Sequence, residues 1–312
     1  MPTFNFEGGT ISSDFENDST MPWSIQTTDV NGGTYGIEAE AGNDEDSSNL
    51  FLIADFDAGD VTFYEKISAE DGFDRGVFMV DGDLYGSADV NVTGNAGSFT
   101  QRTIAISAGV NVLNWCYLKD DTDPSFDDTW YVDDIVVPAY TLLDLTNAER
   151  FGAVPTGTEW TDDATYPWRT YSRGMFDTGA VRSGSITHSQ NTQLEYNSGS
   201  GASAGTAITI MRADSEGSSF DFLDYDIDAS TKKSATFGQS AQRNVPIVSI
   251  ETVTSGSHEY IWTYQKDSSD TSGADEGHLF LFYEPGMDAA AGGIAVPVAL
   301  YSYRQRRNHN FG

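Results

Sequence analysis

One stretch of this sequence occurs twice. Residues 109–121 read Gly-Val-Asn-Val-Leu-Asn-Trp-Cys-Tyr-Leu-Lys-Asp-Asp, and residues 256–268 read Gly-Ser-His-Glu-Tyr-Ile-Trp-Thr-Tyr-Gln-Lys-Asp-Ser. At an offset of 147, Gly109 falls on Gly256, Trp115 on Trp262, Tyr117 on Tyr264, Lys119 on Lys266 and Asp120 on Asp267. Trp115, Tyr117 and Lys119 alternate with other residues, so they share one face of a strand, and the acidic run that follows turns outward. The same offset aligns Val61-Thr62-Phe63 with Ile208-Thr209-Ile210, Phe73-Asp74 with Phe220-Asp221, Phe78 with Tyr225, and Pro138 with Pro285. Pro22-Trp23 aligns with Pro167-Trp168 at 145, a slip that a loop absorbs. A register kept over most of each copy predicts two homologous domains.

The chain has 312 residues, enough for two cores. Its apolar residues fall in short alternating runs separated by turn chemistry. In the first copy these are 3–6, 50–54, 61–65, 76–80, 99–106, 109–118 and 130–137, with Asp81-Gly82 as a hairpin signal. That pattern predicts an all-β chain of two tandem antiparallel jelly-roll β-sandwiches, at 1–140 and 141–285, followed by a short extended arm at 286–312. In the connection, Thr146 to Arg150 could form one capped helical turn. No apolar run is long enough to span a membrane. The amino end has neither a basic nor an apolar signal region, so synthesis in a cytoplasm is expected. The single cysteine, Cys116, excludes an intrachain disulfide and reads as an inert buried thiol.

The net charge is −32 and uneven: residues 1–140 hold 27 Asp and Glu against 4 Lys and Arg, while 285–312 hold 1 against 3. Nucleic-acid binding, which needs clustered cations, is thereby disfavoured. The acidity suits salty water, where screening shortens repulsion, or a first domain that projects into solvent while the basic tail meets a partner.

The run Gly109-x-Asn111-x-Leu113-x-Trp115-x-Tyr117-x-Lys119-Asp120, an acidic loop, and then Trp130-Tyr131-Val132-Asp133-Asp134-Ile135 ending at Pro138 resembles the MAM-like jelly-roll modules of bacterial adhesins, which also occur in phage virion proteins. Phe6-Glu7-Gly8-Gly9 fits the same resemblance, which is closest over 3–138 and weaker over 165–285. It implies a two-sheet jelly roll and a role in adhesion or assembly, without fixing a ligand. It also implies a structural calcium (Ca2+) between the first and last strands, with Glu7 and Asp133 or Asp134 as ligands; the competing reading pairs the inward aspartate with backbone N–H groups or a cation. The second copy has Phe280 and Leu281 at these positions, so its strand 279–283 is apolar on both faces and is expected to have a neighbour that copy one lacks.

No metal-binding, nucleophile or phosphate-loop motif is present, which favours a non-enzyme. Trp23, Trp130, Tyr131 and Trp160 would stack on sugars if exposed and fill the core if not. In the tail, Ile294, Val296, Val298 and Leu300 alternate around Pro297, so the run suits an edge strand or arm. Tyr301, Tyr303, Arg304, Arg306 and Arg307 add interface-forming residue types, pointing to another copy of the chain or a capsid or tail subunit as partner. Two functions follow. One is a homo-oligomeric phage virion surface protein (capsid decoration, fibre or tail-associated), attached through its second domain and arm. The other is an exported, extracellular adhesin that binds surface glycans.

Overall fold

The structure is a computed structural model that describes residues 1–39, 47–82, 88–120, 126–199, 202–215, 220–236, 245–268 and 274–287. Among them there is no α-helix, and no helix is long and apolar enough to cross a membrane. The strands form four antiparallel sheets, packed in two pairs as tandem jelly-roll sandwiches.

In the first copy, one sheet runs in the order β3 (Ser24–Gln26), β4 (Gly36–Glu38), β11 (Thr129–Val136), β6 (Gly59–Ser68), β9 (Thr100–Ile106), with β1 (Thr3–Phe4) also on β11. The other runs β12 (Tyr140–Leu142), β5 (Ser47–Phe56), β10 (Gly109–Leu118), β7 (Arg75–Val80), β8 (Val90–Val92), with β2 (Glu16–Asn17) on β5. Their inward residues, among them Leu50, Phe63, Phe78, Trp115, Trp130 and Ile135, make one core.

The second copy repeats the plan. The sheet β14 (Arg169–Tyr171), β15 (Ala180–Arg182), β22 (Glu276–Tyr283), β17 (Gly205–Asp214), β20 (Ile247–Val253) answers the first, and β13 (Trp160–Asp162), β16 (Asn191–Asn197), β21 (Glu259–Gln265), β18 (Phe222–Ile227), β19 (Ser230–Thr236) answers the second. Trp115 pairs across to Leu50 and Phe78, and Trp262 to Leu194 and Tyr225, so the two tryptophans hold the same central place. The registers correct one alignment. Gly59 opposes Ile106 as Gly205 opposes Val253, so β6 maps onto β17 at 146, not 147. The single-residue slip reverses the faces: Val61 and Phe63 point into the first core, as Ala207 does into the second, whereas Ile208 and Ile210 point away from it.

Those outward residues meet the first copy. Phe51, Ile53 and Val112 on the outer face of β5 and β10 pack against Ile208, Ile210, Val248, Phe280 and Leu281 on the outer face of β17, β20 and β22. Phe51 stacks on Phe176 at 4.9 Å. The neighbour expected for the apolar 279–283 strand is therefore the chain's own first copy. Gly82, at φ +56°, lets the backbones approach, since a Cβ there would lie 2.7 Å from the Val248 nitrogen. The connecting segment makes a turn, with Ala148 N donating to Leu145 O, rather than a helical turn. Glu149 then exchanges two 2.8 Å backbone hydrogen bonds with Phe282, and Arg150 grips Glu16 of the first copy at 2.7 and 2.9 Å. The opposite face of copy two is polar: Gln193 donates to Thr263 and Gln265 to Asp224, each at 3.0 Å.

Candidate functional site

The repeated stretch ends in the same buried clamp in both copies. Lys119 pairs with Asp128 at 2.8 Å and Lys266 with Asp275 at 2.6 Å. The backbone N–H of Asp120 donates to Asp74, and that of Asp267 to Asp221. Burial, with Asp128 beside it, raises the Asp74 carboxyl to about 6. The clamp ties loops together at one end of each sandwich; Lys119, Lys266, Asp74, Asp128 and Asp221 are buried and Asp275 is half-buried. Repetition of all its parts marks it as part of the shared fold.

The copies differ on the outer face of the sheet that holds β11 in one and β22 in the other. Paired registers superpose Thr62 on Ile208, Tyr64 on Ile210, Lys66 on Arg212 and Tyr131 on His278, and the sequence offset of 147 places Asp133 on Phe280, which lies in a bulge of β22. In copy two this face lies under copy one. His278 is fully buried, stacks on Phe280 and sits near Arg212 and Arg182; burial holds its imidazole well below the ordinary range. In copy one the same face lies on the side away from copy two. Tyr64 and Lys66 are half-buried, and Gln101 and Thr103 on β9 are exposed. The Lys66 ammonium pairs with Asp29 and lies 5.5 Å from the centre of the Tyr131 ring, a cation–π distance. Asp127 accepts from Ser68 Oγ at 2.9 Å and from the Tyr131 hydroxyl at 3.4 Å. Burial, then Asp127 and Asp29, raise Glu38 above the usual carboxylate range. The face thus offers a half-exposed tyrosine ring, one ammonium and several carboxylates on a stiff sheet.

Glu7, Asp133 and Asp134 border this face, around the loop 31–35. Asp133 is buried and accepts from the backbone N–H of Asn31 (2.9 Å), Gly32 (3.4 Å) and Asp134 (2.7 Å). Its carboxyl is raised, foremost by burial. Glu7 Oε1 accepts from Thr34 N at 2.9 Å and Tyr35 N at 3.2 Å. Asp134, at φ +51° in a bulge of β11, accepts from Asn31 Nδ2. The loop is drawn onto these carboxylates: Gly33 has φ +68°, and a Cβ there would come 2.1 Å from Glu7 Oε1. Backbone N–H groups thus surround the Asp133 carboxylate. No group of three or more His, Cys, Asp or Glu that could hold a metal occurs among the described residues.

Other site expectations fare differently. Trp23, Trp130, Tyr131 and Trp160 are 0 to 8 % exposed and belong to packed surroundings, so they offer no sugar platform. The outward aromatic is Tyr64, whose alternation with the core residues Phe63 and Glu65 was visible, but only the register of β6 shows which copy leaves it open. Ile294, Val296, Val298, Leu300, Tyr301, Tyr303, Arg304, Arg306 and Arg307 lie outside the described residues. Cys116 is buried, and burial pushes its thiol well up, in keeping with an inert residue.

No family model matches the chain, and no curated protein matches it. Solved structures do. The CBM22-1–CBM22-2 tandem domain of Paenibacillus barcinonensis Xyn10C is similar over 91 % of this chain and 97 % of its own, at 13 % identity and a TM-score of 0.32. A family 35 carbohydrate binding module from Clostridium thermocellum covers 43 % of this chain and 88 % of its own, at 12 % identity and a TM-score of 0.23. A Paenibacillus xanthan lyase covers 87 % of this chain and 27 % of its own, at 11 % identity and a TM-score of 0.27. Likenesses this distant carry nothing about ligand or activity.

Proposed function

We propose that the protein is a non-enzymatic, glycan-binding adhesion protein in which the open sheet face of the first copy meets the ligand and the second copy is its base. The observation that supports this is the divergence of one face. Where copy two has Ile208, Ile210 and Phe280 under a neighbour, copy one has Thr62, Tyr64 and Asp133 with no covering sheet among the described residues. A tyrosine ring presents an apolar plate to the C–H face of a sugar, and Lys66, Glu38 and Gln101 supply donors and acceptors for hydroxyls. With one ammonium among Asp29, Glu38, Asp127, Asp133 and Asp134, the face suits neutral glycans better than acidic ones. Retention of the intact chain on immobilised neutral polysaccharides tests the reading. Tyr64→Ala and Lys66→Ala should each weaken retention at least about tenfold without moving the thermal midpoint. Retention on none, or retention indifferent to both changes, overturns it.

The virion reading draws no support from the described residues, since its attachment arm, 286–312, lies outside them from residue 288 onward. It would return if the chain co-sediments with particles and loses this on deletion of 286–312. Calcium enters this proposal in a reduced form, as a partner of the Gly32-Gly33 turn flanked by Glu7 and Asp134 and completed by backbone carbonyls. A calcium-dependent rise in the thermal midpoint, lost in Glu7→Gln, would support it; no rise at millimolar calcium ends it.

A further inference from the structure

The end of each sandwich opposite the clamp differs between the copies. In copy two, β18 and β19 join through the two-residue turn Asp228-Ala229, and His258 fills the space beneath it. His258 Nδ1 lies 2.8 Å from Asp228 Oδ2, Nε2 lies 2.9 Å from Thr254 O, and the ring meets Tyr260 edge-on at 6.1 Å. In copy one, β7 and β8 join through the longer 81–89 connection, and the counterpart of His258 is Asn111. Asn111 donates to the carbonyls of Ser107 (3.2 Å) and Gly109 (2.8 Å), the same end of the β9–β10 turn that His258 reaches in copy two.

Beside the shorter side chain lies a cavity of about 280 Å³, at the place that His258 fills in copy two. It is lined by Asp81, Asp89, Ser107 and Asn111, with Val80 and Ile106 among its apolar walls. Its volume is near the lower end of ligand sites, about 300 Å³, and roughly ten times a water's share of liquid, so it suits one ring-sized molecule. Both carboxylates are held by the backbone: Asp81 Oδ1 accepts from Val112 N at 2.8 Å and Asp89 Oδ2 from Val80 N at 2.9 Å. Among the described residues no lysine, arginine or histidine lines the cavity, so an anion would meet two carboxylates there without a counter-charge.

We propose that this pocket binds one monosaccharide unit, neutral or aminated, with Asp81 and Asp89 accepting hydrogen bonds from its hydroxyl or ammonium groups and its ring carbons against Val80 and Ile106. The site shares no residue with the open sheet face and stands whether or not that face binds a glycan.

Titration of the intact chain with glucose, glucosamine, methyl glucoside and glucuronate, followed by saturation-transfer NMR and calorimetry, tests it. At least one of the neutral or aminated sugars should bind saturably, and glucuronate should bind at least about tenfold more weakly. Asn111→His installs the plug of copy two and should abolish binding while the thermal midpoint holds or rises. If that variant does not fold, Asp89→Asn should weaken binding about tenfold. Tyr64→Ala should leave this binding unchanged, which separates the pocket from the sheet face. Binding of methyl glucoside as well as glucose assigns the pocket to a glycan end, and binding of glucose alone to a free sugar; both support it. Absence of saturable binding by any of these sugars, glucuronate as tight as glucose, or full binding in both pocket variants overturns it.

Discussion

Asp18 in the first copy and Asp163 in the second make the same turn. Asp18 Oδ1 accepts from Thr20 N and Met21 N, both at 2.9 Å, and Asp163 Oδ1 from Thr165 N and Tyr166 N at 2.7 and 2.8 Å. Each turn leads into a Pro-Trp pair whose tryptophan packs into its own core. Their surroundings differ. In copy one, Ser19 N donates to Met175 O and Thr20 Oγ1 to Gly174 O, so copy two closes over the turn, and burial lifts the Asp18 carboxyl to about 6. In copy two the turn is partly open to solvent. Duplication thus preserved what each sandwich needs within itself, while each outer surface diverged according to whether the other copy lies on it. Most of the chemistry in this molecule that is not shared scaffolding belongs to that divergence.

Substitutions at matched positions can break this comparison. Phe280→Ala should cost about 3–5 kcal/mol in urea unfolding, because it opens a cavity between the copies. Asp133→Ala, at the matching place, should cost about 1–3 kcal/mol, the penalty of backbone N–H groups left unpaired. Equal costs would mean that the two faces have not diverged in role. The clamp should behave alike in both copies: Lys119→Ala strands the buried Asp128 and Lys266→Ala the half-buried Asp275, and about 3–5 kcal/mol is expected for each. A clear inequality would show that one clamp has taken on another task.

Smaller effects appear with pH. Asp228 raises the His258 pKa, so this pair's stabilisation is complete below the ordinary histidine value of about 6.5 and fades as pH climbs through the raised one. His258→Asn should remove that loss from the urea midpoint, and Asn111→His should leave a comparable slope in copy one. Asp18 acts at lower pH. Its folded value of about 6 exceeds the ordinary one, so stability falls between about pH 4 and 6 and is level above; Asp18→Asn should flatten that fall. Least of all, Phe73→Ala and Phe220→Ala, at equivalent positions and each about half exposed, should change stability by no more than about 0.5 kcal/mol. A larger loss at either would locate a contact present in one copy alone.

Much of this was legible in the residues. Alternation placed β5, β6, β7, β10 and β11, and the repeated Trp-x-Tyr-x-Lys-Asp named the central strand of each copy. The double-faced apolarity of 279–283 announced a cover, although nothing in the residues said that copy one supplies it. What the sequence hid depended on register. Placing Ile208 beside Val61 is natural by letter, yet one residue separates a core side chain from an interface side chain, and that choice is made by pairing with β20 and β22. The tryptophans could not be sorted into plates or core from alternation alone, since both faces of several strands are covered. The pocket left a trace, Asn111 in the place of His258 in the repeat, but its meaning rests on which side chains the fold gathers around Asn111, among them Asp81, Asp89 and Ser107.

Copy one offers its β5–β10 face and copy two receives it on the face of β17 and β22, which is a different side of the same fold. Unlike surfaces joined in this way have no built-in stop: repeated, such a contact grows a ring or an open fibre. Among the described residues, neither outer face of the pair repeats that apolar chemistry. Asp133 sits where Phe280 would have to be, and Gln193, Glu195 and Thr263 occupy the far face, where the counterparts of Phe51 and Ile53 would be needed. A handful of side chains therefore sets which faces of the two copies can join.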